Sequence, residues 1–422
     1  MAEILTYVYI NLDGKDIPVG RLWSYFNNGK ESASFRYDES WLKFPCNFEL
    51  EPYLPLTEGT GHTDNKKSIF ASMSDCSPDT WGRLLIKRNE EKLAEQENRP
   101  RRQLNQLDYL LAVNDFSRQG ALRFKKTPDG DFLTAKDKKA IPPLVELPKL
   151  LAASEKIIDD DASFNDIKEL LIPGSSLGGA RPKASVIDKQ ENLCIAKFPK
   201  KDDNNNNVLW EAVALTLAKN AGLKVQEWQL TKALGKSIIL LKRFDREGKH
   251  RIPFISAMSM LNANDGENGD YSYLDIAEII RTKGVNIKED LKELWSRMLF
   301  SILISNTDDH LRNHGFLKQN PIGWSLSPLY DVNPSVDRTS NLQLNIDETS
   351  SATSIDLTLS VADYFGLSKP EADKILKQQI IAVSEWKTIA QHLGINNAEI
   401  SRMEAAFRGN PTKYSIKAQN KN

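Results

Sequence analysis

Cysteine is scarce in this chain of 422 residues, and its scarcity argues against two classes of protein. The three cysteines, Cys46, Cys76 and Cys194, are odd in number and widely spaced, and no CxxC pair occurs. This pattern disfavours both a disulfide framework and a cysteine-ligated zinc site. It is typical of a protein that works in a reducing compartment.

Long apolar runs and a surplus of one charge are also missing. No stretch of 18 uncharged apolar residues occurs, so we predict no transmembrane helix. The N-terminal sequence MAEILTYVYINLDGK lacks a basic region followed by an apolar one, so we predict no signal peptide. The formal net charge of −1 does not favour a chain-wide electrostatic hold on nucleic acid. We therefore predict a cytoplasmic protein without membrane association.

What is present suggests two or three domains, since 422 residues exceed one ordinary core. The first segment predicts strands at TYVYINL, VGRLW and SFRYD. A helix is then predicted with Ser77 as its N-cap and Pro78 at the first helical position. The polar, lysine-rich residues 125–139 are typical of a linker or an exposed hairpin. The run KDDNNNN, residues 201–207, is predicted to be a solvated loop.

Further along, hydrophobic periodicity predicts both hairpins and helices. ASVI and LCIAKF predict one hairpin, and GFLKQ and GWSLS predict another. VLWEAVALTLAKNAGL has helical spacing and ends in Gly222. DLKELWSRMLFSILI places its apolar residues along one face of a long helix. SKPE has the form of a capping box that opens another helix.

The stretch SNTDDHLRN follows directly on that long helix and carries the spacing of a kinase catalytic loop. Phosphoryl transfer needs a residue that positions the attacking hydroxyl, together with metal ligands beside it. Asp308 would accept the proton of the hydroxyl, and Asn313, five residues later, would hold Mg²⁺. Asp331 follows the second predicted hairpin and would be a further metal ligand. Amide and carboxylate oxygens suit Mg²⁺.

The upstream sequence fits the same plan. GSSLGGARPK is not a Walker A motif, because no GK[ST] follows its glycines, and a strand follows it instead of a helix. Lys197 in IAKF lies where a phosphate-binding lysine is expected, and Glu211 in the next helix could pair with it. KRFD, residues 242–245, lies where a hinge would present backbone groups to adenine. Each piece alone is weak; their order and context together make the hypothesis.

These motifs, taken in order, resemble the HipA family of bacterial serine/threonine kinases, the toxins of HipA–HipB toxin–antitoxin pairs. The resemblance runs from about residue 18 to the 330s. It includes the stretches VGRL, FRYDESWL, SPDTWGRLL, SRQGALRF, GSSLGGARPKA, IAKFP, RFDR, NTDDHLRNHGF and PLYDVNP.

The resemblance implies an α+β fold: a protein-kinase-like two-lobed core with an extra N-terminal α/β subdomain and a mostly helical C-terminal lobe. The corresponding division is 1–140 for the N-terminal subdomain, 141–245 for the kinase-like N-lobe and 246–422 for the C-lobe. The implied cofactors are ATP and Mg²⁺.

The resemblance also implies roles for individual residues. Asp308 matches the catalytic base, and Asn313 and Asp331 match the metal ligands. The nucleotide-site residues that it implies are Lys197, Glu211, Lys242, Phe244, His310, Ser176, Gly178 and Gly179. Ser176, or its neighbour Ser175, matches the serine that family members autophosphorylate to switch themselves off. A phosphoserine there adds about 1.5–2 negative charges and would repel the ATP phosphates.

The implied partners are a HipB-like helix-turn-helix antitoxin and a protein substrate, for which family precedent points to an aminoacyl-tRNA synthetase. Phosphorylation of that substrate would block translation and arrest growth. DNA would be contacted only indirectly, through the antitoxin.

Three alternatives stay open. The C-terminal sequence WKTIAQHLGINNAEISRMEAAF looks like a helix-turn-helix, which would make the chain a DNA-binding regulator, although its second helix carries two acids against one arginine. A kinase-like fold could act on a small molecule, because a fold does not determine a substrate. The third alternative is a pseudokinase that only binds a partner, although the intact Lys197, Asp308, Asn313 and Asp331 argue against it.

Asp309 departs from the family pattern. Beside the proposed base it could bind metal or raise the pKa of its neighbour, with Arg312 offsetting its charge.

Overall fold

The structure is a computed structural model that describes residues 2–27, 29–134, 141–174, 179–319, 321–336 and 341–407. The chain divides into two compact units. The first unit comprises residues 1–201 and 228–255, and the second comprises residues 202–227 and 256–422.

Within its described residues, the first unit contains a five-stranded sheet, a four-stranded sheet, a two-stranded sheet of β10 and β11, and six α-helices. Its strands are β1 (Ala2–Leu12), β2 (Lys15–Asn27), β3 (Lys30–Tyr37), β4 (Thr60–His62), β5 (Leu122–Lys125), β6 (Lys183–Ile187), β7 (Leu193–Lys197), β8 (Trp228–Ala233), β9 (Lys236–Lys242), β10 (Arg246–Glu247), β11 (His250–Arg251) and β12 (Phe254–Ser256), whose last residue begins the second unit. Its helices are α1 (Glu39–Leu42), α2 (Ala71–Ser74), α3 (Thr80–Gln96), α4 (Gln106–Ala112), α5 (Leu147–Ile158) and α6 (Phe164–Gly174).

The first sheet has the order β4-β3-β2-β1-β5 and confirms the strands predicted near the N-terminus. Its first hairpin turns at Asp13-Gly14, where both residues have positive φ, 50° and 78°. Asp-Gly is a preferred sequence for such a two-residue turn, because glycine reaches positive φ at no steric cost. Alternate residues of β1, among them Val8 and Ile10, face the core, as the period of a strand requires.

The second sheet has the order β6-β7-β9-β8 and contains the hairpin predicted from ASVI and LCIAKF. One buried cluster joins this sheet to α3, α5 and α6. From the sheet it takes Ala184, Val186 and Ala196, and from the helices residues such as Leu85 and Leu150. The helices therefore bury one face of the sheet that carries Lys197.

The predicted start of α3 is wrong by two residues. The N-cap is Asp79, whose Oδ1 accepts a hydrogen bond of 2.7 Å from the Thr80 amide, and the helix begins at Thr80. Ser77 instead donates to the Met73 carbonyl at 3.2 Å, which closes the turn after α2. The error arose because serine and aspartate are equally good caps.

The second unit is mainly helical. Its helices are α7 (Asn207–Asn220), α8 (Ala257–Met260), α9 (Tyr273–Lys283), α10 (Ile287–Leu303), α11 (Ile355–Ser360), α12 (Lys369–Ser384), α13 (Trp386–His392) and α14 (Asn397–Phe407), and its hairpin strands are β13 (Gly315–Gln319) and β14 (Gly323–Leu326). The long amphipathic helix, the second hairpin and the SKPE capping box are all confirmed. No helix in the described part of the chain has both the length and the apolar character needed to cross a membrane.

The run at 201–207 does more than the solvated loop that its composition predicts. Asn206 caps α7 by accepting from the Leu209 amide. The Asn206 amide in turn donates to the carboxylate of Glu399 on α14, at 2.5 Å. The same carboxylate oxygen accepts from Trp210 Nε1 at 2.9 Å. These bonds join segments 193 and 189 residues apart, so composition alone could not reveal them.

The segment that resembles a helix-turn-helix forms α13 and α14. Phe407 at the end of α14 stacks on Trp386 at the start of α13, with ring centroids 4.4 Å apart and an interplanar angle of 7°. Both rings also lie near Trp210 of α7, at 6.1 and 6.2 Å. The apolar faces of both helices therefore serve as core around α7, which is the packing of a helical hairpin.

Candidate active site

The stretch SNTDDHLRN leaves the end of α10 through a tight turn. Ser305 has a φ of 55°, in the left-handed region that a non-glycine residue seldom adopts. Asn306 is buried, and its amide donates to the Ser301 carbonyl at 2.8 Å, while its side chain donates to Ser301 Oγ at 3.2 Å. The turn is thereby tied back onto the last turns of α10.

The two adjacent aspartates that follow this turn have opposite environments. Asp308 is exposed, whereas Asp309 is only 4% exposed. Asp309 Oδ2 accepts from the hydroxyl of Tyr273 on α9 at 2.5 Å and from Ser301 Oγ at 3.3 Å. Its Oδ1 lies 3.1 Å from His314 Nε2. The exposed carboxylate is therefore the one that can meet a substrate.

The pKa values of this buried cluster are consistent with an ionised Asp309. Burial alone would raise the pKa of Asp309, but His314 and the donated hydrogen bonds outweigh it, and the net pKa lies below its ordinary value. Burial and the adjacent carboxylate raise the pKa of Tyr273 well above its ordinary value. Tyr273 thus stays neutral and donates a hydrogen bond to an anionic Asp309. The carboxylate of Asp309 is therefore engaged in contacts within the core. Arg312 instead forms a two-bond ion pair with Asp265, both bonds 2.9 Å long.

Asn313 lies five residues after Asp308 and folds back toward it. Residues Leu311–Asn313 form a single 3₁₀ turn, and the Asn313 amide donates to the His310 carbonyl at 2.8 Å. Asn313 Nδ2 donates to the backbone carbonyl of Asp308 at 3.2 Å, which leaves the amide oxygen of Asn313 available as a ligand atom. Asp308 and Asn313, five positions apart in the sequence, are therefore in direct contact.

Asp331 is brought to the same loop by its neighbours. The Tyr330 hydroxyl donates to the Arg312 carbonyl at 2.6 Å, and the Ser335 amide donates to the Ser305 carbonyl at 3.1 Å. Asp331 itself has a φ of 55°. Left-handed backbone at a non-glycine residue costs about 1–3 kcal/mol and persists only where the surroundings enforce it, often at functional sites.

The β13–β14 hairpin that leads to Asp331 is anchored on α10. Asp290 Oδ2 accepts from the Leu326 amide at 2.9 Å, and the buried Arg297 donates to the Ser327 carbonyl at 2.7 Å. A long helix thus sets the position at which the segment enters the site.

His310, predicted to contact nucleotide, lies within this loop and is half-buried. Its Nδ1 atom is buried and has no hydrogen-bond partner among the described residues. An unsatisfied buried polar atom is unusual in a folded protein and calls for a partner such as a ligand. The imidazole is thus suited to a ligand contact.

Lys197 lies at the end of β7, in the first unit, and its direct cross-strand partner is Lys183 on β6. Directly opposed residues of an antiparallel pair share one face of the sheet. Lys183 is only 5% exposed, and its Nζ would lie 2.7 Å from a Cβ added at Gly179. An ammonium group beside a glycine, with a second lysine directly opposite on the neighbouring strand, suits a phosphate chain.

The remaining predicted residues fall at three places. Lys242 ends β9, and Phe244 follows it, with its ring centroid 6.2 Å from that of Phe254. Glu211 is buried in the first turn and a half of α7, in the second unit. Ser175, Ser176 and Gly178 lie outside the described residues.

A family model described as the HipA-like C-terminal domain matches residues 175–387, which is half of the chain. The chain belongs to the HipA family. The HipA of Shewanella oneidensis MR-1, solved as a toxin–antitoxin complex with HipB and operator DNA, matches 95% of this chain and 95% of its own, with a TM-score of 0.65 and 18% identity. That likeness shows the α+β, kinase-like fold.

Curated relatives carry the name kinase. The serine/threonine-protein kinase CtkA of Helicobacter pylori is 25% identical over 167 residues, covering 38% of this chain and 51% of that protein. A putative kinase of Haemophilus influenzae is 25% identical over 193 residues, covering 40% of this chain and 55% of that protein. The chain thus spans about half the length of the curated relatives it matches.

Two features of this HipA-family site were missed by sequence reasoning. Lys183 was not singled out, although its place in β6 opposite Lys197 could have been read from the predicted hairpin register. The inward orientation of Asp309 had no local signal, since its partner Tyr273 is 36 residues away.

Proposed function

We propose that this HipA-family chain is a Mg·ATP-dependent protein serine/threonine kinase. The observation that supports it best lies within the second unit. An exposed aspartate and a buried asparagine share one loop, and the segment carrying Asp331 is hydrogen-bonded to that loop at both Tyr330 and Ser335. A base beside two oxygen ligands is the arrangement that phosphoryl transfer requires.

The proposed reaction is a transfer of the γ-phosphoryl group to a hydroxyl. The bond between the γ-phosphorus and the oxygen bridging it to the β-phosphate breaks, and a bond to the serine or threonine oxygen forms. Asp308 accepts the hydroxyl proton, and ADP leaves. General-base catalysis of this kind contributes about 10²–10⁴-fold to a rate.

Asn313 and Asp331 are proposed to hold Mg²⁺, which neutralises charge on the phosphates when bound. Magnesium sites in kinases use one or two carboxylates and leave the other positions to phosphates and water. Among the described residues, no cluster of three or more His, Cys, Asp or Glu side chains suited to a metal occurs.

For the nucleotide, we propose Lys197 as the phosphate-contacting lysine and the glycines of GSSLGGARPK as the phosphate loop. The place of Lys197 directly opposite Lys183, whose Nζ lies beside Gly179, supports this role, because the lysine ammonium binds phosphate as a point charge. His310, Glu211, Lys242 and Phe244 remain proposed nucleotide-site residues.

The finer parts of the proposal follow from family membership. They are a HipB-like antitoxin as partner, a protein serine as target, with an aminoacyl-tRNA synthetase as the expected class, and autophosphorylation at Ser176 or Ser175 as an off-switch. DNA contact would be indirect, through the antitoxin. The Shewanella HipA was solved with its HipB and operator DNA, which supports the choice of partner.

The first test is the intact mass of the purified chain before and after incubation with Mg·ATP. Wild type should gain one phosphate, mapped to Ser175 or Ser176, or carry it already at purification. Asp308→Asn and Asp331→Asn should gain none. Asparagine tolerates left-handed backbone, so the second substitution should preserve the fold. Asp356→Asn, at an exposed aspartate of α11, is the matched control and should behave as wild type.

Two outcomes would count against the proposal. Phosphate gained by the Asp308→Asn or Asp331→Asn variant at a rate near that of wild type would show that the site is wrong. A wild-type protein without phosphate before or after incubation would favour a small-molecule kinase or a protein that only binds partners.

A further inference from the structure

The first turn of α3 contacts the glycine-rich stretch on both sides of the undescribed residues 175–178. Gly174 precedes them at the end of α6, and a Cβ placed on it would lie 2.6 Å from Leu85 Cδ1 and 3.2 Å from Trp81 Nε1. Gly179 follows them and is hydrogen-bonded to Asp79. All of these residues belong to the first unit. One helix thus contacts both Gly174 and Gly179.

Asp79 has two tasks, one for each carboxylate oxygen. Its Oδ1 caps α3 by accepting from the Thr80 amide at 2.7 Å. Its Oδ2 accepts from the Gly179 amide at 2.7 Å. An N-cap needs only the first of these bonds, and a serine would supply it. The second bond therefore needs another explanation.

Trp81 completes the contact. Its backbone amide donates to the Gly179 carbonyl at 3.2 Å, and its indole Nε1 donates to the Lys183 carbonyl at 2.9 Å. Both backbone polar groups of Gly179 are thus bonded to α3. Lys183, one of the two opposed lysines, is held from the same side.

Gly179 has a φ of 89°, one of many conformations that a glycine can populate when nothing selects among them. The bonds from Asp79 and Trp81 select this one. Conformational freedom removed before a ligand binds does not have to be removed on binding, so a pre-ordered segment binds more tightly.

We propose that Asp79 is a positioning residue for nucleotide binding, acting through Gly179 and the adjoining Lys183. The inference rests on the proposed kinase function. It assigns to the segment SPDTW of the N-terminal region a part in positioning Gly179 and Lys183. Asp79 itself contacts no nucleotide in this proposal.

The test separates the cap from the contact with Gly179. Asp79→Ser keeps a good N-cap but is too short to reach the Gly179 amide. Asp79→Asn offers one accepting oxygen and one donating nitrogen, which cannot serve both amides. Asp38→Ser is the matched control, since Asp38 caps α1 in the same unit through a bond of 2.9 Å to the Ser40 amide.

Two readouts are needed. Hydrogen exchange measured by mass spectrometry on overlapping peptides that begin well before residue 179 and end at residue 178 or beyond it should rise at least tenfold in rate at the Gly179 amide in both Asp79 variants, and not in Asp38→Ser. The Kd for Mg·ATP, by calorimetry, should rise about five- to tenfold in the Asp79 variants, with KM rising in parallel and kcat changing less than twofold. A merely structural loss would lower kcat and the thermal midpoint together.

The outcomes distinguish this inference from the function beneath it. If wild type binds Mg·ATP and the Asp79 variants bind it equally well, the positioning role is wrong and the kinase proposal stands. If Gly179 exchanges as slowly in the variants as in wild type, the contact does not order it, and the inference is wrong. If wild type binds no nucleotide at all, both proposals are wrong, whatever the exchange rates are.

Discussion

Asp308 and Asp309 are adjacent in the chain, yet the structure gives them separate tasks. The exposed Asp308 is free of the core, whereas the buried Asp309 bonds to α9 and α10 through Tyr273 and Ser301. A carboxylate with buried donors contributes mainly to stability, since its removal leaves those donors unsatisfied. An exposed carboxylate beside a metal site contributes mainly to chemistry.

We therefore expect two isosteric substitutions to have opposite effects: one should lower stability and keep activity, and the other should keep stability and abolish activity. Asp309→Asn should lower the free energy of unfolding by about 2 kcal/mol, because the charge-assisted bonds to Tyr273 and Ser301 are weakened. Asp308→Asn should change it by less than about 0.5 kcal/mol, as exposed substitutions usually do. Phosphorylation should follow the opposite order, with Asp308→Asn inactive and Asp309→Asn active. Urea unfolding and a phosphorylation assay at a temperature where both variants are folded would check this.

Equal losses of stability in the two variants would contradict this assignment. So would an inactive Asp309→Asn that is as stable as wild type, since Asp309 would then act in the reaction.

At this scale the sequence predicted residue types and spacings but not orientations. Asp308 and Asn313 are five residues apart and are joined by a hydrogen bond of 3.2 Å, because the 3₁₀ turn between them brings the two residues together. Which of two neighbouring aspartates turns inward depends on a tyrosine on another helix. No local pattern contains that information.

At the scale of helices and strands, buried ion pairs and hydrogen bonds connect the loop between α4 and β5 to the end of β9. Asp245 accepts from Arg243 at 2.6 and 2.5 Å, from Arg246 at 2.8 Å and from the Gly120 amide at 2.7 Å. Arg243 also donates to the Ser117 carbonyl at 3.0 Å. This network surrounds Phe244, a predicted hinge residue, so it fixes the segment that carries it.

The charge state of Asp245 gives this network a pH dependence. Burial alone would raise the pKa of Asp245, but Arg243 and Arg246 outweigh it and hold the pKa well below its usual range. A depressed pKa in the folded state means that the stabilisation is fully present above the unfolded pKa of about 3.9 and is lost as the pH falls through the folded value.

Asp245→Asn should accordingly cost about 3–5 kcal/mol of unfolding free energy at pH 7, since it leaves two buried guanidinium groups without their anion. The difference in unfolding free energy between wild type and Asp245→Asn should stay constant down to about pH 4 and decrease below that pH. Urea unfolding followed from pH 7 to pH 3 would measure it. Asp129→Asn, at an exposed aspartate of the same unit, should differ little from wild type throughout.

A different result would contradict this prediction. If Asp245→Asn differs little from wild type in unfolding free energy at pH 7, or if the difference is unchanged down to pH 3, the arginines do not hold the carboxylate in its charged form.

Elements with strong periodicity were the ones predicted from sequence. The hairpins of Lys197 and of Gly315–Gln319 and the helix α10 follow from alternation and from the helical stripe, which are local properties. The ends of elements were less secure. Asp79 rather than Ser77 caps α3, because aspartate and serine are equally good caps and the local pattern did not distinguish them. Glu399 bonds to the start of α7 from 193 residues away, which no local pattern indicates.

For the whole molecule, the span of the family model and the compact units do not coincide. The family model matches residues 175–387, whereas the first compact unit consists of residues 1–201 and 228–255. The cluster that covers the second sheet takes Trp81, Leu85, Leu150, Leu151 and Leu170 from helices that precede residue 175. A fragment limited to the family model would expose one whole face of that sheet. It would also lose α14, whose Glu399 bonds to α7.

We therefore expect residues 175–387 expressed alone to lack a cooperative unfolding transition and to aggregate, because a large apolar face left in water is unfavourable and self-associates. Co-expression of 1–174 with 175–422 should recover a soluble pair, since the cut falls next to Gly174 and the missing helices can pack again on the sheet. Circular dichroism melts and size-exclusion chromatography would compare the fragment, the pair and the full chain. A fragment 175–387 that melts cooperatively as a monomer would show that the buried cluster with α3, α5 and α6 is dispensable. In that case the contact of Asp79 with Gly179 would serve the site without being needed for the fold.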